Sequence, residues 1–186
     1  MTNKWTRLMI LALALPLLIA PYADAADVHL KFGANSEPSF FDAGLQLAAE
    51  GALAGLGNAD VLVTLTATAD VTATCTNPSG ANQPPGQNPA PITVTGSEAI
   101  PASEIKNGNV AFAVITQTPE TVIPGAPGCP NPNWTETITD LSFTSATITV
   151  EQPVGTLVLT VSCTLSSPTT DGAVSGSIVS CTSQQP

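Results

Sequence analysis

The stretch Val61–Thr76, VLVTLTATADVTATCT, alternates apolar and polar residues almost without a break, with threonine along one side and Val, Leu and Ala along the other. A period of two sends successive side chains to opposite faces of an extended chain, so this segment buries one face only as a β-strand. Threonine is branched at Cβ and suits the solvent-facing side. The same period recurs in shorter runs. Val28, Leu30 and Phe32 alternate with His29 and Lys31, Leu45, Leu47 and Ala49 with Gln46 and Ala48, and further runs cover 92–96, 110–116, 135–139, 143–151, 156–165 and 174–181. With Gly, Pro and Asn between them, about seven to nine short strands predict an all-β chain, an antiparallel sandwich or barrel.

Residues 40–56, FFDAGLQLAAEGALAGL, are the one helical rival, rich in Ala and Leu. Gly44, Gly51 and Gly55 would each cost roughly 1 kcal/mol in a helix interior, which favours strand. Asn107–Gly108, between Ile105 and Val110, tolerates the positive φ angles of a type I′ hairpin turn. Gly57 and Asn58 separate the strand before them from the one starting at Val61. Two segments, 77–91 (NPSGANQPPGQNPAP) and 118–133 (TPETVIPGAPGCPNPN), lack periodicity. Proline removes the amide donors a ladder needs, so both are expected to be surface loops rather than strands, either pinned connections or a binding site.

The N-terminus runs from Lys4 and Arg7 through an apolar stretch at 8–20 to Ala23, Asp24 and Ala25, the order of a secretory signal peptide. A membrane-spanning helix needs roughly 20 apolar residues, and this stretch is shorter and broken by Pro16 and Pro21. Cleavage after Ala25 would leave 26–186 as a single domain, secreted to the extracellular space with no membrane span. It would also leave two basic side chains against all but one of the fourteen acidic ones, in a chain whose net charge is already −10. So little basic charge excludes nucleic acid and anionic membrane surfaces as partners.

Cys75, Cys129, Cys163 and Cys181 all lie in 26–186, and an even count in an exported chain reads as two disulfides. Three connectivities are open. Cys75–Cys129 with Cys163–Cys181 is preferred, because the first bridge would tie the two proline-rich loops together and the second would staple the tail to a strand. The rival is Cys75–Cys163, which end the similar strands TATCT and TVSCT, like the inter-sheet bridge of immunoglobulin-like sandwiches.

The segments AGLGNADVLVTLTATADVTATCTNPSG, SEIKNGNVAF and GCPNPNWTETITDLSFTSATITVEQP resemble a group of small, uncharacterised secreted bacterial proteins over residues 44–164. The resemblance implies an immunoglobulin-like β-sandwich and brings no catalytic residues with it.

An inventory of reactive groups speaks against an enzyme. The only histidine, His29, sits among strand-like apolar residues and reads as a solvated strand position, and no G-x-S-x-G occurs. No catalytic, cofactor-binding or metal-ligating residue is assigned. Asp60, Asp70, Glu98, Glu104, Glu120, Glu136, Asp140, Glu151 and Asp171 are spread through the chain, so a carboxylate-dependent hydrolase needs the fold to pair two of them. Calcium is the one cation considered as a cofactor, through Asn58, Asp60, Asp140 and Asp171, although no EF-hand spacing is present. Trp134, the single tryptophan left after signal cleavage, is the candidate ligand contact, set against a packing role. The leading expectation is a secreted, non-enzymatic structural or interaction protein that recognises an extracellular protein or glycan or associates with itself. The alternative is a binding module for polysaccharide, protein or calcium at the loops around Cys75 and Cys129.

Overall fold

The computed structural model describes residues 27–31, 37–83 and 89–186; the expected signal peptide, 1–25, lies outside them. Eleven strands form among the described residues: β1 (His29–Leu30), β2 (Ser39–Asp42), β3 (Leu47–Ala54), β4 (Val61–Thr76), β5 (Ile92–Ile100), β6 (Val110–Ile115), β7 (Val122–Ile123), β8 (Thr135–Glu151), β9 (Leu157–Leu165), β10 (Gly172–Ala173) and β11 (Val179–Gln184). Three of these have two residues each: β1 lies within the expected run at 28–32, whose Phe32 is outside the described residues, whereas β7 and β10 fall in none of the expected runs. No described helix is long and apolar enough to cross a membrane.

The strands make two antiparallel sheets. In the first, β3 lies between β6 on one side and β2 with β1 on the other, and β10 extends it beyond β2. The second runs β11-β9-β8-β4-β5, with β7 added to the free length of β8. One apolar core lies between them, built from Leu47, Leu53 and Phe112 of the first sheet and Leu65, Phe143, Ile148 and Leu159 of the second. Residues 40–56 are therefore not helical. They form β2, a turn at 43–46 with Gly44 at φ +77°, and β3.

The runs 135–139 and 143–151 belong to one 17-residue strand, β8, rather than two. Two bulges against β4 leave Thr139 and Thr144 without partner residues. Each extra residue reverses which parity faces the core: Glu136 and Ile138 point inward, then Leu141 and Phe143, then Ala146, Ile148 and Val150. The apolar period therefore breaks in sequence while the ladder continues. Thr139 and Thr144 donate their hydroxyls to the Thr72 and Thr68 carbonyls (3.2 and 3.3 Å), compensating for the amide hydrogen bonds a bulge removes.

Where β4 and its neighbours stay in register, the outer face is a lattice of hydroxyls. Thr64, Thr66 and Thr68 align with Ser97, Thr95 and Thr93 of β5 on one side and with Thr149, Thr147 and Ser145 of β8 on the other. The rows continue into Thr160, Ser162 and Thr164 of β9.

The edges where the two sheets approach one another are closed by acidic side chains. The Glu98 carboxylate on β5 accepts from the Ala113 amide at the outer edge of β6 (2.8 Å), and Glu37 accepts from the Cys181 amide at the edge of β11 (3.0 Å). Asn107 and Gly108 both adopt positive φ (51° and 72°), closing a tight turn between Lys106 and Asn109 as expected. The arm before this turn is a 3₁₀ turn, Ala102–Glu104, rather than a strand. Two further expectations are corrected: loop 118–133 contains β7, paired with Thr137 and Glu136, and the last strand begins at Val179, because Gly176–Ile178 is a 3₁₀ turn.

The disulfides are Cys75–Cys129 and Cys163–Cys181. The rival bridge fails on register. Cys163 pairs with Ala146 and Ala146 with Ala67, eight residues along β4 from Cys75. At about 3.3 Å per residue that is roughly 26 Å, far beyond a disulfide's reach of about 7 Å between Cα atoms.

Candidate functional site

The two proline-rich loops meet over one end of β4. Cys75 is buried and faces inward there, and its bridge holds Cys129, and with it the second loop, against that end of the second sheet. Directly across the ladder from Cys75 stands Glu136. Because Gly128 precedes the bridged Cys129, its amide is carried onto the Glu136 carboxyl group, donating to Oε2 at 3.0 Å. The Cys129 amide donates to the Ala126 carbonyl (3.0 Å), which keeps the loop turned inward.

Beside this contact lies a cavity of about 510 Å³. The β-sheet supplies Val71, Ile92, Glu136 and Ile138; the first loop supplies Pro89 and Ala90, and the second Ile123, Pro127 and Gly128. Proline walls suit such a place, since they present apolar surface without a backbone donor to satisfy. The volume falls within the range of small-molecule sites, about 300–1,000 Å³. Among the described residues that line it, the one ionisable side chain is Glu136, which is only 1 % exposed. Two other depressions, of about 600 and 580 Å³, lie on the outside of the first sheet over Ala52 and Ala111 and are more open to solvent. Neither is formed by the proline-rich loops.

Trp134 is half-buried at the end of the second loop, with its amide donating to the Asn131 carbonyl (3.0 Å), and is not among the residues that line the cavity. His29 is exposed on β1. Of the proposed calcium donors, Asp60 lies before the start of β4 and accepts from the Ala102 amide (2.8 Å), whereas Asp140 pairs with Thr72 toward the strand's other end. The four donors therefore do not converge. Among the described residues, no group of three or more His, Cys, Asp or Glu side chains is placed to hold a metal ion.

Asp140 and Asp171 do come together, at the Gly44 turn. A Cβ on Gly44 would lie 3.8 Å from one Asp140 oxygen and 3.7 Å from one Asp171 oxygen. Asp42, which sequence reasoning passed over, joins them from the end of β2. It is 1 % exposed, accepts from the Gly44 amide (2.9 Å) and from the Thr169 hydroxyl, and so ties the β2–β3 turn to the loop after β9. The Thr169 hydroxyl accepts in turn from the Phe143 amide (2.8 Å). The order Asp42-Ala43-Gly44 is an Asx-turn signature that could have revealed the first of these contacts.

Burial raises the pKa of Asp42 and Asp140 above the usual aspartate value near 3.8, and the neighbouring Asp171 charge adds to the effect at both. A native carboxyl with a raised pKa holds its proton more tightly than the unfolded chain does. Its contribution to stability is present below the usual aspartate range and is lost as pH rises through the raised value. Acidification from about pH 7 to about pH 4 is therefore expected to raise Tm, and Asp140→Asn to raise Tm at neutral pH and flatten the profile. A calorimetric Tm for Asp140→Asn that falls at pH 7 would contradict this reading.

Compared with family models, curated proteins and solved structures, the chain matches none.

Proposed function

We propose that this chain is a secreted, non-enzymatic interaction module, an immunoglobulin-like sandwich matured by loss of residues 1–25, that binds a small ligand between its two proline-rich loops. The observation that carries this reading is the cavity of about 510 Å³ whose second loop is bonded through Cys129 to Cys75. A site pinned in this way loses little conformational entropy when it binds. The two disulfides support an oxidising compartment outside the cytoplasm. Assembly by strand addition has less support, because Glu98 and Glu37 already accept from outward amides on β6 and β11.

A fragment screen followed by NMR tests the reading. Ligands are expected to shift the resonances of Val71, Ile123 and Ile138 together. Ala90→Trp, at the exposed rim, is expected to weaken them at least tenfold while the far-ultraviolet spectrum stays unchanged. Hits that instead perturb the outer face of the first sheet, or that ignore Ala90→Trp, would overturn it.

A further inference from the structure

We infer that the ligand class of this cavity is an alkylammonium, an aliphatic stem ending in a cationic amine, with Glu136 as its anchor. The inference rests on the cavity being the binding site. Its starting point is the cost of Glu136. A carboxyl group that is 1 % exposed is expensive to bury unless a cation or several donors compensate. The Gly128 amide donates to Oε2, and among the described residues no buried side-chain oxygen is without a hydrogen-bond partner, so what Glu136 lacks in the cavity is a counter-charge rather than a donor. Among the described residues, no lysine, arginine or histidine lines the cavity. The described basic residues lie elsewhere: His29 on β1, and Lys31 and Lys106 at the depressions outside the first sheet.

The rest of the lining determines what kind of cation fits. Val71, Ile92, Ile123 and Ile138 with Pro89 and Pro127 offer aliphatic walls and no aromatic face, which suits a methylene stem rather than a planar or quaternary cation bound by π-systems. A compact ammonium brings three donors to a carboxylate whose Oε2 already holds one. An anionic ligand would meet both Glu136 and the field of a chain with net charge −10. A neutral ligand would leave the carboxyl group without a charge partner. The same chemistry is offered by a free amine and by a lysine side chain of another protein.

The test uses the oxidised protein of residues 26–186 and four probes: n-hexylammonium, 1-hexanol, hexanoate and Nα-acetyl-lysine N-methylamide, titrated by NMR at the Ile123 and Ile138 signals. Hexylammonium is expected to bind at least tenfold more tightly than hexanol, with hexanoate weakest. In Glu136→Gln, whose amide oxygen can still accept from Gly128, the preference for hexylammonium over hexanol is expected to vanish. Should that variant fail to fold, the order of the probes on the unaltered chain decides. Saturation by the lysine amide as well assigns the site to a protein side chain, whereas saturation by hexylammonium alone assigns it to a free amine. Hexanol binding as tightly as hexylammonium would overturn the ammonium assignment and leave the cavity as a binding site. No saturable shift with any probe, together with fragment hits that ignore Ala90→Trp, would overturn both.

Discussion

Gly96→Ala is expected to cost the fold about 3 kcal/mol or more, the upper part of the range for overpacking a close contact. A Cβ built on Gly96 would sit 1.9 Å from the Ile115 carbonyl oxygen and 2.7 Å from the Thr116 Cα. These are backbone atoms, so no rotamer change relieves the clash. Nor can the backbone retreat. The Thr116 amide donates to the Leu47 carbonyl (3.0 Å), the Thr116 hydroxyl accepts from the Leu47 amide (2.9 Å), and the Gln117 amide donates to Thr95 beside Gly96 itself (3.0 Å). The substitution therefore parts β5 from β6 at the place where the two sheets touch. At about 2–4 °C per kcal/mol for a chain of this size, Tm should fall by about 6–12 °C. Gly51→Ala is the control. Its Cβ meets the far end of the Phe112 ring at 2.7 Å, and a side chain can shift where a backbone cannot, so its loss should be smaller. Equal melting temperatures for Gly96→Ala and the unaltered chain would refute the crossing as described.

Removing the Cys75–Cys129 bridge by Cys75→Ser with Cys129→Ser should cost about 4 kcal/mol from loop-closure entropy alone, against about 3 kcal/mol for Cys163→Ser with Cys181→Ser. The difference follows from sequence separations of 54 and 18 residues. The two losses should also differ in kind. β11 remains held to β9 by a six-residue ladder after its bridge is gone, so its amides keep their protection. Among the described residues, the second proline-rich loop has only the two-residue β7 and a few isolated hydrogen bonds, such as Gly128 to Glu136. Without Cys129 it should exchange its amide hydrogens freely and the cavity should stop binding. Urea denaturation gives the first comparison and hydrogen exchange at Ile123 and Gly128 the second. Unchanged protection there in the bridge-free variant would mean that the loop is held by something other than its disulfide.

The architecture was largely legible because burial writes a period of two into the chain wherever a strand has one wet face. The long strand β4 and the positive-φ turn at Asn107–Gly108 could both be read directly. The division of β8 into two runs was misread because Thr139 and Thr144 are bulged. The period records which side faces the core, and a bulge reverses that side without ending the strand. β7 was missed because prolines surround it and it has only two residues, too few to show a period.

The candidate site was legible only as ingredients. The proline-rich loops, the preferred cysteine pairing and Glu136 among the acids could all be named from the chain. Nothing in the residue order says that Glu136 faces Cys75 across the ladder, that Gly128 is drawn onto it, or that Asp42, Asp140 and Asp171 surround one turn. Alternation, turn residues and proline are local constraints on φ, ψ and hydrogen bonding, so the sequence by itself determined the strands and the loops between them. Register, bulge placement and the meeting of the two loops depend on contacts between residues far apart in the chain, and these only the tertiary structure decided, because their energies arise when the two sheets close on a common core.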